Sequence, residues 1–113
     1  MPNEPIPVTR ANEMIDEYVT YMKKLGVDMS KQTHTVSFTS RELMDWMQLV
    51  GPHTDEFKIC YGNYPSGEAR SGRNTVIIWP FKNGLPANWP AGEGKDGGGG
   101  SLIKPYNEGH LNP

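Results

Sequence analysis

Two stretches of helical periodicity followed by two strand-like runs predict an α+β fold, with two amphipathic helices packed on a small, mainly antiparallel three- or four-stranded sheet. Apolar residues recur at three- and four-residue spacing across 9–25 and 39–50, whereas "EFKICY" alternates with a period of two and "TVIIWP" is a β-branched run closed by Trp79. The chain of 113 residues suits a single domain with one modest core, compact over 9–82 and continued by a Gly/Pro-rich extended or partly flexible tail over 83–113.

In the first helix, Ala11, Met14, Ile15, Tyr18, Val19, Met22 and Leu25 gather on one face. Thr9 is the expected N-cap, Lys23 and Lys24 complement the macrodipole in the last turn, and Gly26 can take the left-handed position beyond it. Glu13, Asp16 and Glu17 then read as charges of a solvated helix face. "THTVSF" alternates over 34–38 and supplies a third member of the sheet.

The second helix begins in "FTSRELMDWM". Thr39 and Glu42 have the spacing of a capping box, and Phe38 can pack on Leu43 across the boundary. Leu43, Met44, Met47 and Val50 continue a buried stripe bordered by Trp46 until Gly51 and Pro52 end the helix. Phe57, Ile59 and Tyr61 share one face of the next strand, with Lys58 and Cys60 on the other. The strand "TVIIWP" pairs with it, and Pro80, lacking a donor, is expected to end it.

Residues 83–113 hold eight glycines and four prolines, which opposes any regular helix of useful length. Leu102, Ile103 and Tyr106 are expected to anchor this segment as an added extended strand that covers a sheet edge.

Composition narrows the function classes. No apolar run approaches the roughly 18 residues of a membrane span, and no basic head with an apolar run opens the chain, so a cytoplasmic protein with no membrane partner is expected. Cys60 is the single cysteine, which excludes an intrachain disulfide framework. Residues 57–82 hold four basic residues and one acidic residue, the chain's only electropositive segment. Four charges over that length fall short of a general nucleic-acid footprint, so no nucleic-acid partner is expected.

The connection between the paired strands, 62–74, is far longer than a tight hairpin turn. Arg70 and Arg73 can present planar donor arrays to a carboxylate or phosphate from this loop. Tyr64 is the aromatic expected to stand free beside them, while Tyr61 is expected to pack in the fold. Tyr64, Arg70 and Arg73 are therefore the candidate ligand-binding residues of a noncatalytic binding or interaction module for an acidic protein partner or a small anion. Trp89 joins them if the tail folds across this surface.

No catalytic residue, metal site or cofactor is assigned. The strand position of Cys60 favours a small packed side chain, with His53 or His34 the only identifiable bases for a thiol nucleophile, and His53 with Asp55 in "GPHTDEF" defines no coordination geometry. A small hydrolase or metal-dependent enzyme using Cys60 or His53 and Asp55 is the alternative from another class. A structural module that forms a homodimer through its sheet edges is the noncatalytic competitor.

The elements "ANEMIDEYVTYM", "FTSRELMDWM", "FKICYGNY" and "NTVIIWP", before a Pro/Gly-rich ending, make the chain similar to small uncharacterised proteins from Bacteroidetes bacteria. The resemblance covers about two thirds of the sequence. It implies a compact helix-plus-hairpin domain of bacterial origin and carries over no activity and no catalytic residue.

Overall fold

The computed structural model describes residues 3–69, 72–90 and 101–107, and the backbone of 110–112. The chain has an α+β fold. It divides into two compact units, Met1–Gln32 and Thr33–Asn112.

The first unit is built on α1 (Val8–Lys24), followed by a one-turn 3-10 helix, Met29–Lys31. The N-cap of helix α1 lies two residues earlier than expected. Pro7 is its N-cap, with φ near the helical value at −58°, and its carbonyl accepts the first helical hydrogen bond from the Ala11 amide at 3.1 Å. Thr9 lies inside the first turn and caps nothing. Gly26 takes the left-handed conformation the sequence predicts, at φ 85°. Its amide donates to the Lys23 carbonyl at 3.0 Å and the Val27 amide to the Met22 carbonyl at 3.1 Å, the paired bonds of a Schellman ending. None of the residues of α1 is buried, whereas Met29 in the following turn is. That turn is held by Asp28, whose carboxylate accepts from the Ser30 amide at 3.0 Å and the Ser30 hydroxyl at 2.7 Å.

The second unit begins with β1 (Thr35–Ser37) and α2 (Ser40–Val50). Thr39 is the N-cap of α2, as expected, and its carbonyl accepts from the Leu43 amide at 2.9 Å. Its side chain makes no capping hydrogen bond, so the expected capping box does not form. Thr39 and Glu42 are both exposed, so the first-turn amides of α2 are open to solvent. Helix α2 ends at Val50 and runs into a 3-10 turn, Gly51–His53, with Pro52 where no amide is needed.

Strands β2 (Glu56–Asn63) and β3 (Asn74–Lys82) pair antiparallel, with Phe57 opposite Pro80, Ile59 opposite Ile78 and Tyr61 opposite Val76. Pro80 does not end β3. It is fully buried within the strand. Its carbonyl accepts from the Ala87 amide at 2.9 Å, and the Ala87 carbonyl, which a non-proline amide at position 80 would reach, accepts from the Ile103 amide at 3.0 Å. The missing donor is thereby turned into an attachment point for the C-terminal segment.

Asn83 and Gly84, at φ 54° and 80°, both occupy the left-handed region and form a two-residue turn of the primed type. The turn leads into β4 (Leu85–Pro86), which pairs Leu85 with Lys82 and Pro86 with Phe81. The sheet order is β2-β3-β4. Beyond β4 the same edge of β3 is filled by single contacts: Ile78 and Tyr106 exchange both backbone hydrogen bonds, at 2.9 and 2.8 Å. The Asn107 side-chain amide donates to the Val76 carbonyl at 2.6 Å.

Strand β1 does not join this sheet as expected. It pairs with β5 (His110–Asn112) in a separate two-stranded sheet, Val36 opposite Leu111. The third place beside β3 goes to β4, which a two-residue turn delivers at much lower loop-closure cost than a strand some forty positions away.

The core of this unit is the buried cluster of Val50 from α2, Ala87 and Ile103, with Trp46, Phe57 and Trp89 packed against it. Two of those three buried residues belong to the 83–113 segment, beyond the 9–82 range expected to be compact. Burial of Ile103 alone contributes roughly 2 kcal/mol. Helix α2 packs onto the sheet through Trp46, whose ring centroid lies 5.6 Å from that of Phe57 and 4.8 Å from that of Tyr106.

Candidate functional site

The loop expected to bind an anion is shorter and more closed than the sequence suggests. The strands extend to Asn63 and Asn74, leaving 64–73 between them. The Tyr64 amide donates to the Arg73 carbonyl at 3.0 Å, and the Gly72 amide to the Tyr64 carbonyl at 3.3 Å, which closes the loop at its base. Gly67 and Gly72 supply the positive φ values, 97° and 82°, that the turns require.

The two tyrosines exchange their expected roles. Tyr64 is buried, only 8% exposed, and its hydroxyl donates to Asn107 Oδ1 at 3.4 Å. Asn107 is in turn fixed on Val76 and, at 3.4 Å, on the Thr75 hydroxyl. Tyr61, expected to pack, is 87% exposed. It shares a face with Phe57, as the alternation predicts, but Trp46 covers that face only at the Phe57 end. Of the other two candidates, Arg73 is half-buried, and Arg70 lies outside the described residues. Tyr64 therefore cannot serve as a free stacking platform beside the arginines.

The residues of the enzymatic alternative have structural surroundings. The Asp55 carboxylate accepts from the Asn83 amide at 3.2 Å and so braces the turn before β4. Thr54 next to it donates its hydroxyl to the Phe81 carbonyl at 2.6 Å. The His53 ring stands edge-on to Trp89, with centroids 5.5 Å apart. Cys60 is a half-buried free thiol on β2, opposite Ile77. Among the described residues no three His, Cys, Asp or Glu side chains come together where they could hold a metal ion.

A cleft that sequence reasoning did not find lies between α2 and the C-terminal segment. It has a volume of about 210 Å³ and is lined by Trp46, Leu49, Trp89, Ser101, Leu102, Ile103 and Lys104. Both indoles are positioned from behind, Trp46 by Phe57 and Tyr106, and Trp89 by His53. The backbone of the wall is equally fixed: the Trp89 amide donates to the Ser101 carbonyl at 2.8 Å, and Asn88 bridges Leu102.

Two polar groups belong to this apolar cleft. Lys104 is exposed and carries the only charge of the lining among the described residues. The Ser101 hydroxyl oxygen is buried and has no hydrogen-bond partner among the described residues, although such a group ordinarily finds one. Two indoles and an ammonium group suit a compact aromatic or apolar body that carries an anionic group. The cleft is smaller than the roughly 300 Å³ at which drug-sized sites begin, so a single ring or one side chain is the fitting size.

Of the lining, the sequence offers only Trp89 among its ligand-binding candidates, whereas Trp46, Leu102 and Ile103 are expected to pack. Trp46 and Trp89 are far apart in the chain, and no local pattern announces that they converge.

Among the described residues no helix is long and apolar enough to cross a membrane. No protein-family model, no curated protein and no solved structure matches the chain, so its reading rests on its own geometry.

Proposed function

We propose that this protein is a noncatalytic binding module that takes a small organic anion with an apolar or aromatic body in the cleft between Trp46 and Trp89. The observation that carries this reading is the convergence of two indoles, Trp46 and Trp89, with the Lys104 ammonium in one cleft. Lys104 at the cleft supplies the attraction for an acidic group that the sequence reading had assigned to Arg70 and Arg73. The acidic end of a protein partner presents the same chemistry and is the larger form of the same ligand. A bacterial, cytoplasmic setting belongs to the proposal, supported by the resemblance to small Bacteroidetes proteins and by the single thiol, Cys60.

Titration with phenylacetate, followed by tryptophan fluorescence, tests the proposal. Saturable quenching is expected, with weaker binding of the neutral amide and of phenethylammonium. Trp89→Ala is expected to weaken phenylacetate binding about tenfold through the lost aromatic wall. Lys104→Ala is expected to weaken it about threefold, since the ammonium is exposed. Absence of saturation, or equal binding of the cationic analogue, overturns the reading.

A further inference from the structure

The outer edge of β2 is a second surface with a definite chemistry. Strand β2 is the terminal strand of its sheet, and none of the backbone hydrogen bonds among the described residues reaches its outer side. The direction of each amide follows from the ladder. Tyr64 donates to Arg73 one step beyond the Asn63–Asn74 pair, so the antiparallel alternation points Gly62, Cys60 and Lys58 at β3 and turns Phe57, Ile59, Tyr61 and Asn63 outward. Ile59 is 65% exposed, so the bare backbone at Ile59 and Tyr61 is accompanied by two exposed apolar side chains.

Natural edge strands are blunted by proline, by bulges or by inward-pointing charge. The β2 edge has neither proline nor a break in its register over eight residues. Its one lysine, Lys58, is drawn aside over the Phe81 ring, 4.6 Å from the centroid, on the face opposite Ile59 and Tyr61. What fits such an edge is an extended strand with apolar residues at alternate positions and no net charge.

We infer that the occupant is the β2 strand of a second copy of this chain, paired antiparallel about a two-fold axis at Cys60. The strand is its own complement in this register. Ile59 of each copy stands opposite Tyr61 of the other, an aliphatic–aromatic pair formed twice, and the outward amides meet outward carbonyls. Lys58 stands opposite Gly62, which has no side chain, whereas a pairing centred on Lys58 would set the two ammonium groups against each other. Glu56 and Lys58 cancel within the strand, so the two copies meet without a net charge penalty. Cys60 lies opposite its own copy at a non-hydrogen-bonded position, where the Cα separation of about 4.5 Å falls within the reach of a disulfide. The contact uses neither the cleft nor its lining residues, and its failure leaves the binding proposal standing.

Sedimentation of the full chain over a wide concentration range, with a parallel mild oxidation, tests the inference. The expected result is a mass rising from 12.6 kDa toward twice that value, with an oxidised species linked through Cys60 and reversed by reductant. Ile59→Lys and Tyr61→Lys, each at an exposed position, are expected to raise the dissociation constant roughly tenfold or more and to suppress the cross-link. Their circular dichroism must match that of the unsubstituted chain, and Tyr61→Phe, which keeps the aromatic pair, must retain the dimer. A mass that stays at 12.6 kDa at every concentration overturns the inference, as does equal association of the lysine variants. A dimer that yields no Cys60 cross-link overturns the two-fold pairing at that residue.

Discussion

Along β3, the edge away from β2 is filled from Val76 to Lys82, by β4 at Phe81 and Lys82, by Ala87 at Pro80, by Tyr106 at Ile78 and by the Asn107 side chain at Val76. Along β2, the edge away from β3 meets no strand among the described residues. The covered edge is served by the part of the chain least suited to regular structure. Beyond β4 each of its contacts needs only one residue in the right place, and the hydrophobic cluster of Val50, Ala87 and Ile103 anchors the segment that supplies them. A segment rich in glycine and proline can therefore complete a sheet without forming a long strand, provided that a few apolar anchors are buried with it.

Amide hydrogen exchange in dilute protein gives the largest contrast between the two edges. The amides of Ile78, Ala87, Ile103 and Tyr106 all donate to backbone carbonyls on the covered side. Those of Ile59 and Tyr61 point outward. The covered set is expected to exchange on the order of a thousandfold more slowly, because its opening requires loss of the core rather than local fraying. Exchange at Ile59 and Tyr61 is expected to slow as the protein is concentrated, which ties this measurement to the β2 pairing.

Ile103→Ala attacks the covered edge through its anchor. Ile103 is 2% exposed and packs in the central cluster, so the substitution removes buried methylene groups and leaves a void beside Val50 and Ala87. A loss of about 3 kcal/mol in a denaturant titration is expected. If the anchors hold the edge as described, exchange at Ile78 and Ala87 accelerates in the same variant, while the Gly26 ending of α1 is unaffected. A cost below about 1 kcal/mol would mean that the backbone bonds alone secure the segment.

The two edges also differ in how far they can be read from the sequence. Periodicity places α2 and the centres of β2 and β3 correctly, and Thr39 and Gly26 mark helix boundaries because their signals act over four residues or fewer. Alternation assigns Phe57, Ile59 and Tyr61 to one face but says nothing of how far along that face a cover reaches. Coverage depends on Trp46 at one end and, for Tyr64, on Asn107 some forty positions away. The cleft is illegible for the same reason, since its walls come from α2 and from two separate stretches of the C-terminal segment. The Asn83–Gly84 turn is a different case. The pair stands between Phe81 and Leu85, a strong local hairpin signal, and counting both residues with a glycine-rich tail conceals it.

Gly84→Ala gives the smallest effect and isolates the backbone contribution of that turn. A Cβ at Gly84 would meet nothing within 4 Å, so steric clash plays no part. The cost comes from φ 80°, a conformation that alanine adopts only with strain, and amounts to about 1 kcal/mol. Gly84→Asn, which tolerates left-handed backbone better, is expected to recover part of it. Because the turn starts the covered edge, exchange should accelerate at Ala87, next to β4, before it does at Ile78, where Tyr106 supplies both bonds independently. Simultaneous acceleration at both would mean that the hairpin and the terminal segment open as one unit, and that the edge is completed in a single step rather than by separate contacts.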